Sequence, residues 1–584
     1  MKLNEQQQKA VSQIEGASLI ISGAGTGKST VLAAKVKAIQ QHYGEEDVPG
    51  ILALSFTKRS TADLAARIVN NRGVSVMNIT QFFYRVLRGN GYGAYKVITD
   101  EYARQALVSL SIAAAKMNKK TDEMEVLEAL ETGRTGNPAV KKVIAQYYAY
   151  MKQKRIMDFS AIPVFLVELL RAVPTVAKKI RRQYPYCLID EFQDLDPRQW
   201  EAVRLIWPRG SNITGIGDPR QSIYGFRGSQ KGVLDEFKMY YGAKVFELNL
   251  NYRSIPSILS IANTIHPQHS PLIADKEGNA TTPVFTAEMN PEEEAATVVR
   301  QVKDRLNNGA RLDDIAILYR SLPAIPCVIE ALLKAKLPFV KIGADPNRWN
   351  HYPYKQYMEL LGFVADPDIA DWKSCCKYLG IDYEMLKQAQ AIVKEEEGLT
   401  IQDVLMRLPM LPDDAKAKLE FISGLAARGN IRAMPLRELI IDLWDSIASD
   451  YFNAENDNIL ADILNTTEKF HTLEELMEDI ASLQKQYAYM ARLIKSKSTD
   501  YLRIMSIHSS KGLEFDTVFL VGAAEGILPD LSHENTDMDE ETNLAYVAAT
   551  RAKDYLYISY PRHNSKNKEE IKPSRFFGRY FQGR

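Results

Sequence analysis

The chain has 584 residues, enough at roughly 100–200 residues per folded unit for about three to five domains. Hydrophobic residues make up 46% and charged residues 25%, an ordinary globular balance that excludes a disordered chain or a repetitive fibre. Lys plus Arg and Asp plus Glu each number 73, so a uniform polycation coating nucleic acid is excluded too, although local basic faces are not.

In chain order, an apolar run at Ser18–Ile21 predicts a strand that leads through glycines into a helical pattern, Val31, Leu32, Val36 and Ile39. Further strands are predicted at Ile51–Ser55, Tyr186–Ile189, Ile213–Gly217 and Val245–Leu248, interrupted by a helical insertion from about Gly89 to Met157. A second set follows at Ile315–Tyr319, Arg503–Ile507, Thr517–Val521 and Tyr555–Ser559. Short apolar runs alternating with helical patterns imply α/β architecture with two parallel sheets. Between the halves of the second set, Arg348 to Ser496 reads as helical: Leu436, Ile440, Leu443, Trp444 and Ile447 mark one apolar face, expected in a core. The expected division is therefore 1–88 with 158–249, inserted by 89–157, and 250–347 with 497–584, inserted by 348–496.

Charge is segregated along the chain. Lys141, Lys142, Lys152, Lys154 and Arg155 form one stretch without acids, and Arg171 to Arg182 another, both suited to a polyanion track or to a plain solvated face. After Tyr560 there are seven basic residues against Glu569 and Glu570. The four cysteines form no CxxC pair, so they are read as buried small hydrophobes rather than a disulfide framework or zinc site. No uncharged apolar run approaches the ~20 residues of a membrane span, and Met1-Lys2-Leu3-Asn4-Glu5 lacks a leader's pattern. A cytoplasmic protein without a membrane partner is expected.

The strongest chemical signal is Ser22-Gly23-Ala24-Gly25-Thr26-Gly27-Lys28-Ser29, between a strand and a helix. Glycines let backbone N–H groups curl around phosphate oxygens, and the helix N-terminus adds positive potential. Lys28 is placed to reach the β- and γ-phosphates and the Ser29 hydroxyl to hold Mg²⁺. Ser22 stands where the usual pattern has its first glycine. Leu188-Ile189-Asp190-Glu191-Phe192-Gln193-Asp194 then sets two acids at the carboxyl end of a strand, where parallel sheets bind ligands. Asp190 suits a second Mg²⁺ contact and Glu191 suits activation of the attacking water, so ATP hydrolysis is implied. A third strand leads into Gly217-Asp218-Pro219-Arg220-Gln221, which puts Gln221 at the same edge to sense the γ-phosphate. Just beyond it, Tyr224 and Phe226 offer faces for base stacking. The local residues equally allow both to be core.

These clusters, in this order, resemble the UvrD/Rep/PcrA group of superfamily-one helicases over Leu3 to about Phe577. Asn4-Glu5-Gln6-Gln7 is similar to the group's adenine-reading motif, with Gln7 as the reader. Ser55-Phe56-Thr57-Lys58 is similar to its first strand-binding motif, and Asn78-Ile79-Thr80-Gln81 with Phe82 stands where its second usually reads Thr-x-His-Ser. In Leu248-Asn249-Leu250-Asn251-Tyr252-Arg253-Ser254 the resemblance implies that Tyr252 stacks on adenine and Arg253 contacts the γ-phosphate. In Met505-Ser506-Ile507-His508-Ser509-Ser510-Lys511-Gly512-Leu513-Glu514-Phe515 it assigns His508 to the DNA backbone and Glu514 to the ribose. Leu544-Ala545-Tyr546-Val547-Ala548-Ala549-Thr550-Arg551-Ala552 matches the motif that supplies a second arginine finger, Arg551. Phe226 replaces a common Trp, Thr542-Asn543 stand where the group often has two arginines, and a long C-terminal extension is not expected.

The resemblance implies an α/β fold of two RecA-like parallel-sheet motor domains, each with a mainly helical insertion. It implies ATP and Mg²⁺ as ligands, with Gln7, Ser22, Gly23, Ala24, Gly25, Thr26, Gly27, Lys28, Ser29, Thr30, Tyr252, Arg253, Glu514 and Arg551 around the nucleotide. Lys28, Glu191, Gln221, Arg253 and Arg551 are the expected catalytic set, Ser29 and Asp190 the metal ligands. Phe56, Thr57, Phe82, Tyr224, Phe226 and His508 are the expected nucleic-acid contacts. The implied activity is ATP-driven 3′–5′ translocation on single-stranded DNA with separation of tailed duplexes, by a monomeric core. The alternative is an ATP-gated DNA sensor or protein-stripping subunit working with a partner such as a nuclease. A small-molecule kinase is excluded because Arg253, Arg551 and the second sheet would have no purpose. No further carboxylate cluster has nuclease spacing.

Overall fold

The computed structural model describes residues 3–44, 47–68, 72–115, 123–276, 282–321, 325–343, 349, 353–367, 372–396, 398–452, 457–495, 500–532, 536–563 and 570–581. A first sheet of six strands runs in the spatial order Val74–Asn78, Ile51–Ser55, Tyr186–Ile189, Asn212–Gly217, Ala17–Ser22, Lys244–Leu248. Every pairing is parallel. Parallel neighbours need crossover connections, and helices such as Lys28–Tyr43 and Pro197–Ile206 supply them. Helices on both faces explain why Ile51–Ser55 and Tyr186–Ile189 are buried at every position and read as unbroken apolar runs. The carboxyl ends of these strands share one edge, from which Gly23, Phe56, Asp190 and Asp218 emerge.

The second sheet also has six strands, in the order Val284–Glu288, Ala552–Pro561, Phe515–Leu520, Ile315–Tyr319, Leu502–Ser506, Phe339–Ile342. All are again parallel. Three strands of the two six-stranded sheets escaped the sequence reading: Val74–Asn78, Val284–Glu288 and Phe339–Ile342. All three are sheet edges, where a strand is covered only in part and mixes polar with apolar residues instead of presenting a continuous run. The predicted Arg503–Ile507 strand ends one residue early, because Ser506 caps a short helix, Ile507–Ser510.

Behind this sheet, Glu294 is buried on the helix Pro291–Asn307, accepting from the Gly522 N–H at 2.9 Å and the Ser559 hydroxyl at 2.6 Å. Burial pushes its carboxyl up to about 7. A folded value above the unfolded one means the folded state holds more protons between about 4.5 and 7, so this group's stabilisation is lost as pH rises through that window. Glu294→Gln keeps the acceptor oxygen without the charge. It is expected to raise the melting temperature at pH 8 by about 2–4 °C and to match wild type at pH 4.5, by differential scanning calorimetry.

The two insertions are held differently. The first consists of Glu101–Ala114, Glu123–Thr132 and Pro138–Lys154, closed by a two-residue parallel pairing of Lys96–Val97 with Ile156–Met157. Its Val108, Val126 and Tyr147 belong to the same apolar core as Leu54, Phe83 and Phe192 of the first-sheet unit. The second insertion has a separate core, in which Leu436, Ile440, Leu443, Trp444 and Ile447 are all buried as the spacing predicted. Each such side chain stabilises by roughly 1.5–3 kcal/mol through burial. Its last helix, Leu473–Lys495, starts in that core with Leu473 and Leu476 and ends against the second sheet with Met490. Cys187, Cys375 and Cys376 are buried and Cys327 half-buried, all as free thiols. Among the described residues no helix is long and apolar enough to cross a membrane.

Candidate nucleotide and strand site

The strand Ala17–Ser22 ends at a glycine loop that turns into the helix Lys28–Tyr43. Gly25 and Gly27 have φ of +70° and +87°, which favour glycine. A Cβ on Gly25 would also lie 2.8 Å from Arg253 Cβ. Gly27 is the helix N-cap and brings no capping side chain, so the first-turn N–H groups stay open to an anion. Ser22 takes the place of the usual glycine without cost, because its buried hydroxyl bonds the Thr26 hydroxyl at 2.6 Å and braces the loop from within. Thr26 in turn donates to the Gly23 carbonyl at 2.9 Å. Thr30, one turn on, accepts from Arg67 at 3.3 Å.

Gln7 lies beside this loop, buried, in the helix Glu5–Ser12. Its amide nitrogen donates to the Thr26 carbonyl at 3.0 Å and its amide oxygen accepts from the Asn4 N–H at 3.1 Å, completing a capping box. Asn4 also donates to the Tyr252 hydroxyl at 2.7 Å, while the Tyr252 N–H donates to the Gly25 carbonyl at 2.9 Å. Tyr252 keeps a ring 38% exposed next to Gln7 and the glycines, a face open to stacking.

Asp190 and Glu191 follow the strand Tyr186–Ile189 directly. Glu191 carries a positive φ of 51°, a strain of about 1–3 kcal/mol for a residue with a Cβ. That backbone turns its carboxylate onto Lys28, with 3.0 Å between Oε1 and Nζ. Burial alone would raise the Glu191 carboxyl, but Lys28 and Lys511 hold it well below the ordinary range, so it stays a carboxylate and a base. Asp190 moves the other way: burial and the Glu191 charge raise it. The Asp190 carboxylate and the Ser29 hydroxyl are hard oxygen donors, the set that Mg²⁺ takes together with phosphate oxygens, and a divalent cation would offset the penalty on Asp190. Among the described residues no group of three His, Cys, Asp or Glu side chains forms a metal cage by itself.

From the second-sheet unit, Arg551 reaches this edge. It is 1% exposed and donates to Val547 O at 3.0 Å, Leu513 O at 3.1 Å and Gln221 Oε1 at 3.5 Å. Burial and then the Arg253 charge push it down to about 9, so it remains cationic at neutral pH. Arg253 pairs with Glu514 at 2.8 Å and donates to Thr550 O at 3.0 Å. Glu514 is expected from the sequence to meet a ribose; here it is shared between Arg253 and Lys553, the latter at 2.9 Å, which keep it at about 2 against its burial.

Sequence reading passed over several residues that join the two units. Lys511 Nζ contacts Asp194 at 2.6 Å and the Gln221 carbonyl at 2.6 Å, and lies 3.9 Å from Glu191. The Tyr546 hydroxyl accepts from the Ala24 N–H and donates to Asp218, both at 3.3 Å. Asn251 donates to the Ala24 carbonyl at 2.6 Å. Lys511, Tyr546 and Asn251 lie inside motifs the sequence displayed, but their partners are more than 190 positions away, so no local signal marked them. Lys28, Glu191, Lys511, Gln221 and Arg551 thus form one continuous line of contacts across the two sheets.

Next to that line runs a row of rings. Phe56 stacks on Tyr224 at 5.9 Å and 20°, Tyr224 meets Phe226 edge-on at 6.1 Å, and Phe226 meets His508 at 5.4 Å. Lys511 Nζ sits 5.0 Å from the Tyr224 ring centre. Tyr224 is 9% exposed and Phe226 49%, so the choice between core and stacking resolves one residue at a time: Tyr224 underlies, Phe226 is presented. Thr57 is exposed and caps the helix Lys58–Arg67, accepting from the Ser60 N–H at 3.0 Å.

Phe82 is a correction. It is 2% exposed and packs with Phe83, Tyr184 and Trp207 at 6.0–6.5 Å, because Ile79, Phe82, Phe83 and Val86 form the buried face of the helix Ile79–Leu87. What this segment offers near the rings is Asn78, which caps that helix and donates to the Phe56 carbonyl. The basic stretches are partly spent inside the molecule: Lys152 pairs with Glu168 at 2.6 Å, Arg171 with Glu201, and Arg181 with the Ile206 carbonyl at 2.9 Å. The basic run after Tyr560 lies partly outside the described residues.

Comparison with known proteins agrees with this geometry. Residues 3–105 and 93–242 match the UvrD/REP helicase N-terminal domain, and residues 246–415 and 431–563 match the UvrD-like helicase C-terminal domain. Among curated proteins, YjcD of Bacillus subtilis is 28% identical over 96% of this chain and 79% of its own length. The ATP-dependent DNA helicase Rep of Buchnera aphidicola is 26% identical over 99% of this chain and 94% of its own. DNA helicase II of Salmonella typhimurium is 28% identical over 99% and 87% respectively. With both halves matched in order over nearly its whole length and the two parallel sheets meeting at one cleft, the chain belongs to the UvrD/REP helicase family.

Proposed function

We propose that this chain is an ATP-dependent translocase and helicase on single-stranded DNA, moving 3′ to 5′ and separating tailed duplexes as a cytoplasmic, monomeric core. The observation that carries it is the meeting of Lys28 from the first sheet with Arg253 and Arg551 from the second around one glycine loop. Cations from both units give a triphosphate a reason to hold the units together. Its cleavage removes one of the groups they share.

In this reading the loop N–H groups of Gly25 and of Gly27 to Ser29 cradle the phosphates, Gln7 and Tyr252 take the adenine, and Glu514 reaches the ribose. Bound Mg²⁺, held by Ser29 and Asp190, would supply charge neutralisation at the phosphates. Glu191 accepts a proton from water as the water oxygen bonds the γ-phosphorus. The bond from that phosphorus to the bridging oxygen breaks, releasing ADP and phosphate. Lys28, Arg253 and Arg551 neutralise the charge that spreads over the transferred group, with Gln221 beside Arg551. Phe56, Thr57, Tyr224, Phe226 and His508 form a strand platform drawn from both units, so a change in their separation moves one grip past the other.

The test is ATP turnover with and without single-stranded DNA or RNA, followed by unwinding of duplexes tailed at the 3′ or the 5′ end. Stimulation by DNA and unwinding only from a 3′ tail are expected. Turnover indifferent to any strand overturns the reading. For the platform, Phe226→Ala is expected to lower DNA-stimulated turnover at subsaturating DNA about tenfold, the size of one lost stack of ~1–3 kcal/mol, with basal turnover kept. Equal loss of both rates would make the ring structural.

A further inference from the structure

We propose that Asn543 is a positioning residue that holds Gln221 in register with Arg551. The inference rests on the nucleotide reading above and deepens it at a residue that the expected catalytic set does not include. Asn543 lies on the helix Met538–Ala549, about two turns before Arg551, and is 8% exposed. Its amide nitrogen donates to the Ser222 carbonyl at 2.8 Å and the Pro219 carbonyl at 3.3 Å. These two carbonyls bracket Gln221.

The carbonyl and side-chain amide of Gln221 are also held. The Gln221 carbonyl accepts from Lys511 at 2.6 Å, its amide nitrogen donates to Asp218 at 2.8 Å, and its amide oxygen faces Arg551 at 3.5 Å. The turn itself is a short 3₁₀ segment, Pro219–Gln221, capped by Asp218. Such a segment has few internal hydrogen bonds, so its geometry depends on outside donors. Asn543 is the donor that grips it on both sides of Gln221. Both of its N–H groups are used, something a hydroxyl in the same space could not supply.

The whole helix is docked along this loop. Lys231, at the far end, pairs with Asp537 at 2.7 Å and Asp539 at 3.3 Å, and a Cβ on Gly225 would collide with the Glu540 carboxylate. The finger helix therefore touches the loop from Pro219 to Lys231. Asn543 is the contact that sits at the catalytic end, and Lys231 the one beyond the rings.

Two variants separate positioning from packing. Asn543→Asp keeps the shape but replaces the donor with a carboxylate set against two carbonyls; Asn543→Ala removes the group. Both are expected to lower DNA-stimulated kcat about three- to tenfold, the worth of a hydrogen bond, the aspartate at least as much as the alanine. KM for ATP and binding of single-stranded DNA without nucleotide should stay within about twofold of wild type, and the melting temperature of Asn543→Ala within a few degrees of it. Wild-type kcat in Asn543→Asp, or a loss in Asn543→Ala that follows a fall in its own melting temperature, overturns the inference. Wild-type protein with no DNA-stimulated turnover overturns the underlying reading instead.

Discussion

Lys28→Ala is expected to abolish measurable ATP turnover, a fall in kcat on the order of 10²–10³-fold or more, in a protein that still folds. Lys28 opens its helix at the glycine loop and directs its ammonium onto Glu191 at 3.0 Å rather than into the apolar core. Removing it deletes the cation nearest the expected phosphates and leaves Glu191 with Lys511 at 3.9 Å and the Gln193 amide as its neighbours. The carboxyl of Glu191, no longer held down from two sides, rises, and a proton can relieve a charge that the fold would otherwise leave poorly paired. The fold therefore survives while both the cation and the base are compromised. Coupled-enzyme turnover with melting curves checks this, and wild-type kcat in the alanine protein would remove Lys28 from the mechanism.

Arg551→Lys is expected to lower DNA-stimulated kcat by about 10³-fold, the lower end of what an arginine finger supplies, with little change in KM. The guanidinium is held in plane by Val547 O, Leu513 O, the Thr550 hydroxyl at 3.1 Å and Gln221 Oε1, a fork of acceptors that a single ammonium cannot match. The site also selects against lysine on charge. Burial and Arg253 bring Arg551 down to about 9, and a lysine begins about two units lower than arginine. Its amine would be about half protonated at pH 7. The deficit of the lysine protein relative to wild type should therefore shrink at pH 6 and grow at pH 8. A lysine protein with wild-type kcat, or a deficit equal at both pH values, would show that Arg551 does not act as the second-unit cation.

The motifs of the first sheet were legible because each lies within a few residues of its own scaffold. The loop from Ser22 to Ser29 needs only the strand before it and the helix after it. Asp190 and Glu191 need only the strand Tyr186–Ile189, buried on both faces and therefore written as an apolar run. The edge strands were harder, since Val74–Asn78 and Phe339–Ile342 are covered only in part and carry polar residues among the apolar ones. Phe82 shows the opposite limit. An aromatic next to a strand-binding motif looks like a stacking face, and only the packing against Tyr184 and Trp207 assigns it to the core.

What the amino-acid sequence determined by itself was the inventory: two sets of strands, two helical insertions, a glycine loop, a pair of acids and two arginines, each specified by local spacing and residue type. Tertiary structure alone decided which of these meet. The Lys511 bond to Gln221, the Tyr546 bond to Ala24 and the Asn543 grip on Pro219 and Ser222 each span roughly 290 positions or more. Contacts of that range leave no periodicity in a chain. They exist because two separately folded sheets present their carboxyl edges to one cleft, where burial strengthens every charge and hydrogen bond that happens to face across it.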